Sequence, residues 1–93
     1  MKYEMLYLID ASVADEPRDA LIGKFESIVK ELGGTVLSND KWGVKKLAYP
    51  IDYKTEAFYV LMTFDADGAA VKELDRIAGI TDEVMRRMIS KAN

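Results

Sequence analysis

The chain has 93 residues, 49% of them hydrophobic and 31% charged, and a net charge of −3. That bounds it to one domain, residues 1–93, able to bury roughly 60–65% of its unfolded surface. It has no cysteine and no histidine, which excludes disulfides, thiol nucleophiles, thiolate metal sites and the commonest general base and pH switch.

Residues 3–9 alternate, with Tyr3, Met5, Tyr7 and Ile9 on one side and Glu4, Leu6 and Leu8 on the other. Both sides are mostly apolar, so the pattern predicts a central strand. Residues 16–32 predict a helix, because Leu21, Phe25, Ile28 and Leu32 share one face. Asp15 is its expected N-cap, with Glu16 and Pro17 in the first turn and Gly33-Gly34 as its stop.

Residues 35–49 predict a long second strand, bulged at Gly43, followed by a turn over residues 50–55. Residues 57–64, Ala-Phe-Tyr-Val-Leu-Met-Thr-Phe, are the clearest strand. Asp67 is the expected cap of a second helix at residues 69–79, with Val71, Leu74 and Ile77 or Ala78 inward and Gly79 as its end. Residues 84–90 predict a fourth strand.

The order βαββαβ is that of a ferredoxin-like α+β fold: a four-stranded antiparallel sheet, order 4-1-3-2, with both helices on one face. Strands two and four are then the edges. If the helices cover Tyr3, Met5, Tyr7 and Ile9 together with Phe58, Val60, Met62 and Phe64, then Leu6, Leu8, Tyr59 and Leu61 lie on the open face. Those four are the expected partner-binding patch.

Charge is uneven. Residues 41–54 carry a net +3, residues 84–93 another +3, and the remainder −9. Both basic segments fall on predicted edge strands. Lys41, Trp42, Lys45, Lys46, Tyr49 and Lys54 suit an RNA phosphate grip with stacking aromatics. They equally suit an edge strand protected by solubilising lysines. Arg86, Arg87 and Lys91 complete the cationic set; Arg86 and Arg87 point to opposite faces, so only one of them is well placed for phosphate.

The sequence contains no phosphate-binding loop, GxGxxG, CxxC or HExxH. Asp65 and Asp67 admit a hard cation, with a solvated loop and helix cap as the plainer reading. No cofactor and no metal site is expected. Apolar runs are too short to span a membrane, and Met1-Lys2-Tyr3-Glu4 lacks the regions of a signal peptide. The expected location is the cytoplasm. The third strand lacks the Lys/Arg-Gly opening of RNA-recognition modules with the same topology, so their mode of base stacking is not expected.

The run Trp42-Gly43-Val44-Lys45-Lys46-Leu47-Ala48-Tyr49-Pro50-Ile51 resembles the family of the sixth protein of the bacterial small ribosomal subunit. So do Tyr3-Glu4, the double glycine, Phe58-Tyr59, Glu73-Leu74-Asp75-Arg76 and Asp82-Glu83-Val84-Met85-Arg86-Arg87. The resemblance covers essentially the whole chain. It implies no catalysis, no small-molecule substrate, and binding to the central domain of 16S rRNA jointly with the basic eighteenth small-subunit protein. It also implies that Lys41, Trp42, Lys45, Lys46 and Tyr49 lie near RNA. The tail Lys91-Ala92-Asn93 lacks the acidic extension of some relatives, so glutamate addition there is not expected. The alternative reading from residue types is a homodimeric ferredoxin-like sensor or enzyme, using Tyr7, Tyr59 or a carboxylate.

Overall fold

The computed structural model describes residues 1–51 and 53–92. Its elements are β1 (Lys2–Asp10), α1 (Asp15–Glu31), β2 (Thr35–Ile51), β3 (Lys54–Asp65), α2 (Gly68–Gly79) and β4 (Val84–Lys91). The strands form one antiparallel sheet in the order β2-β3-β1-β4, the expected ferredoxin-like arrangement.

Alternation along the two central strands decides which face is covered. Tyr3, Met5, Tyr7 and Ile9 pair with Phe64, Met62, Val60 and Phe58, and all eight are buried. Leu21, Ile22, Phe25, Ile28 and Val29 of α1 pack on them with Ala70, Leu74 and Ala78 of α2. Tyr7 meets Phe25 edge to face at 5.0 Å. Each large side chain buried here stabilises the fold by about 1.5–3 kcal/mol.

The caps differ partly from expectation. The N-cap of α1 is Ala14, which has no side-chain oxygen to offer. The turn before the helix is closed by Asp10, whose carboxylate accepts from the Ser12 amide and hydroxyl, both at 2.9 Å. Asp15 is therefore already inside the helix and pairs with Arg18 at 3.0 Å. Asp67 does cap α2, accepting from the Ala70 amide at 2.8 Å.

Leu32 leaves the apolar stripe because it is the C-cap, where the helix unwinds, and it is exposed. Gly33 takes φ +86°. The amides of Gly33 and Gly34 donate to the carbonyls of Lys30 and Val29, the pattern of a Schellman motif. Gly34 has a different reason to be glycine: a Cβ there would sit 2.7 Å from the Asp65 carbonyl oxygen and 2.9 Å from the Val29 side chain.

The hairpin between β2 and β3 is longer than the sequence suggests. The predicted turn over residues 50–55 falls partly on Asp52, outside the described residues, but the strands run to Ile51 and from Lys54. They form an extended arm.

Candidate nucleic-acid interface

β2 slips against β3 at three places, the first between Val36 and Ser38, and the other two shape the arm. The register of β2 against β3 slips between Lys41 and Gly43, and again between Lys46 and Ile51. Gly43 takes φ +84° at the former, a conformation that a Cβ would penalise. Bulges bend the bulged strand and increase its right-handed twist. The slip at Gly43 turns Trp42 onto the open face, where it stacks on Tyr59 with ring centroids 6.3 Å apart and planes at 14°. Lys45 lies over Trp42, its ammonium 5.1 Å from the ring centroid.

The slip after Lys46 leaves residues 47–50 of β2 without register partners on β3. Tyr49 comes from one edge strand and Arg86 from the other, yet the Arg86 guanidinium lies 5.4 Å from the Tyr49 ring centroid. It also donates a hydrogen bond to the Tyr49 hydroxyl. Leu6, Leu8, Tyr59 and Leu61 share the open face, as their register requires. Leu8 lies between Tyr59 on one neighbouring strand and Arg86 on the other, and it is only 6% exposed. A hollow of about 170 Å³ beside it is lined by Leu6, Leu8, Tyr59, Arg86, Arg87 and Met88. Trp42 is 44% exposed and Tyr49 53%.

The cations do not form a single ribbon. Lys45 and Arg86 reach the open face. Lys41 and Lys46 stand opposite Val60 and Glu56, on the alternation that carries the helices. Lys41 lies 4.0 Å from Asp19 on α1. Lys91 stands opposite Tyr3 and shares that side.

Two candidates are satisfied within the protein. Lys54 is bonded to the Asp10 carboxylate. Arg87 turns to the helical side and donates to the Asp75 carboxylate at 3.0 Å and to the Asp75 carbonyl oxygen at 3.2 Å. Lys54 and Arg87 each already have a carboxylate partner in direct contact, which Lys45 and Arg86 do not among the described residues. Among the described residues Lys45, Lys46, Arg86 and Lys91 have no carboxylate within ion-pair distance.

Sequence reasoning missed Asp10. Its carboxyl is held down to about 2, first by the Lys54 hydrogen bond and then by the Ser12 amide. An aspartate at a strand end, two residues before a serine, is the available signal for such a turn. Asp65 and Asp67 do not converge on a cation: Asp65 pairs with the N-terminal ammonium at 2.8 Å, and Asp67 caps α2. No cluster of metal-ligating side chains occurs among the described residues. Nor is any helix among them long and apolar enough to cross a membrane.

Tyr3, Tyr7, Phe58 and Phe64 are all in the core. The central strands thus bring only Tyr59 among their aromatics to the open face, too little for the two- or three-base stacking platform of an RNA-recognition module. Fold and surface define a ferredoxin-like α+β protein that presents an apolar, partly cationic sheet face and a β2–β3 hairpin.

Comparison with known proteins narrows this class. The chain matches ribosomal protein S6 over residues 2–91. It is 41% identical to small ribosomal subunit protein bS6 of Thermoanaerobacter pseudethanolicus over 91 residues, 98% of this chain and 96% of that one. It is 47% identical to the bS6 protein of Desulforamulus reducens over 87 residues, 94% and 92% of the two chains. Its fold superposes on the crystal structure of 30S ribosomal protein S6 from Thermotoga maritima with a TM-score of 0.93 at 27% identity, covering 98% of this chain and 86% of that one.

The chain belongs to the ribosomal protein S6 family. It is a structural component of the small subunit of the cytoplasmic bacterial ribosome and not an enzyme. The alternative of a ferredoxin-like sensor or enzyme falls with that result.

Proposed function

We propose that the chain binds the central domain of 16S rRNA jointly with the eighteenth small-subunit protein, as one half of a heterodimer. The observation that carries this reading is the composition of one face. Lys45 and Arg86, without carboxylate partners among the described residues, stand beside the exposed rings of Trp42 and Tyr49. The apolar patch of Leu6, Leu8, Tyr59 and Leu61 adjoins them. Ammonium and guanidinium groups engage phosphate, aromatic rings accept unpaired bases, and an apolar sheet face accepts a protein.

The body of the chain is anionic, which complements a basic protein partner while the arm meets RNA. Lys46 and Lys91 add charge from the opposite side of the sheet. Footprinting of small-subunit rRNA with this chain, its proposed partner, or both tests the reading. Protection in the central domain that requires both proteins supports it. Protection by the partner alone, unchanged on adding this chain, contradicts it.

A further inference from the structure

The five methionines of the chain divide by environment. Met5 and Met62 stand opposite each other on the two central strands, and both are 0% exposed beneath the helices. Met85 is half-buried. Met1 is exposed, and its sulfur accepts a hydrogen bond from the hydroxyl of Tyr3, a core residue, at 3.7 Å. Met88 is 61% exposed. It lies on the open face, because it stands opposite Leu6, which stands opposite Leu61.

Met88 thus completes an apolar row across three strands, and it lines the hollow that Leu8 and Tyr59 also line. A thioether suits such a place, being apolar, polarisable and flexible enough to fit an irregular surface. Its oxidised form does not. A sulfoxide is polar, and burying its oxygen against leucines without a donor is costly. The two cations lining the hollow are engaged elsewhere, Arg86 with Tyr49 and Arg87 with Asp75.

We propose that Met88 is an oxidation site whose state controls protein docking on the open face. The oxidant is a peroxide. Its O–O bond breaks, one oxygen bonds to sulfur, sulfur loses two electrons, and the remainder leaves as water or an alcohol. A thiol-dependent reductase reverses the step: the oxygen leaves as water and two thiols become a disulfide. In the free protein the sulfoxide is solvated, so the fold tolerates it. On docking that water is lost, so the oxidised face rejects an apolar partner surface. The docking half rests on the reading of this face as protein-binding; the oxidation half does not.

Peptide mapping by mass spectrometry, after treatment of the free chain with hydrogen peroxide, tests the site. Met88 should reach half conversion at least roughly tenfold sooner than Met5 and Met62, as exposure dictates. The thermal midpoint should not move while those two remain reduced. Titration calorimetry of the treated chain, freed of peroxide, with the eighteenth small-subunit protein tests the consequence. Affinity should fall roughly ten- to a hundredfold, as burial of an unpaired polar oxygen implies. Peroxide should cause no such fall in Met88→Leu, which retains Met1 and Met85, whatever that variant's starting affinity. Undiminished affinity of the Met88 sulfoxide overturns the proposal, and so does an equal loss in Met88→Leu. Absence of binding by the untreated chain overturns the docking half and the protein-binding reading together. Conversion of Met88 no faster than that of Met5 overturns the site and leaves that reading intact.

Discussion

Asp10 and Lys54 tie the end of β1 to the start of β3 beside the β2–β3 turn. The same carboxylate closes the turn into α1 through Ser12. One side chain thus joins the first strand, the first helix and the hairpin. Because Lys54 and the Ser12 amide hold its pKa down to about 2, the stabilisation is fully present above the ordinary carboxylate value near 3.8. It disappears as pH falls from about 4 towards 2. Asp10→Asn should lower stability at neutral pH by roughly 1 kcal/mol, and its difference from the parent chain should shrink over that acid range. Urea unfolding at several pH values checks this; a difference that persists undiminished at pH 2 contradicts it.

Tyr7 is fully buried, and its hydroxyl has no hydrogen-bond partner among the described residues. Burial, and then the charge of Glu26, push its ionisation upward. Tyr7→Phe removes a desolvated hydroxyl without breaking a bond, so stability should hold or rise by about 1 kcal/mol. The sign at high pH follows from the raised folded value. The unfolded chain ionises its Tyr7 above about pH 10 while the folded one does not, so the parent loses stability there. The phenylalanine variant should lose less. A clear destabilisation at pH 7 would show that the hydroxyl has a partner.

Gly34→Ala places a methyl group 2.7 Å from the Asp65 carbonyl oxygen. Backbone cannot yield as a flexible side chain does, so the variant should be destabilised by about 1–3 kcal/mol. Gly33→Ala should also be destabilised, by about 1 kcal/mol, through its positive φ. Denaturant midpoints of the two variants measure both costs.

The elements were legible in the sequence because period-2 and period-3.6 patterns are strong in this chain. Tyr3, Met5, Tyr7 and Ile9 declare a face, and Leu21, Phe25 and Ile28 declare a stripe. The order of elements then specifies the sheet. The basic segment was legible as charge but not as geometry. Nothing local distinguishes Lys54 from Lys45, although one is tied to Asp10 across 44 positions and the other is not. The Tyr49–Arg86 contact was hidden for the same reason: it joins the two edge strands across 37 positions, and of the three register slips in β2 only the one at Gly43 is marked by a glycine. Alternation put Arg86 and Arg87 on opposite faces, but only the register, with Arg87 opposite Tyr7, shows that Arg87 is the one beside Asp75 of α2.

Lys54→Ala should lower thermal stability by removing the Asp10 tie while leaving the salt dependence of RNA binding as it is in the parent chain. A reduced salt slope in this variant would show that Lys54 meets phosphate as well. Differential scanning calorimetry and a salt titration separate the two effects.

The central claim is that cations on the arm meet polynucleotide phosphate. Its most direct measurement is the salt dependence of affinity for a central-domain 16S rRNA fragment, with the partner protein present, for the parent and the Lys45→Ala, Lys46→Ala double variant. Each phosphate no longer neutralised should flatten the slope of log K against log salt by about 0.7–0.9. A slope flattened by one to two such steps is the expected result; weaker binding with an unchanged slope, or no change at all, contradicts the account.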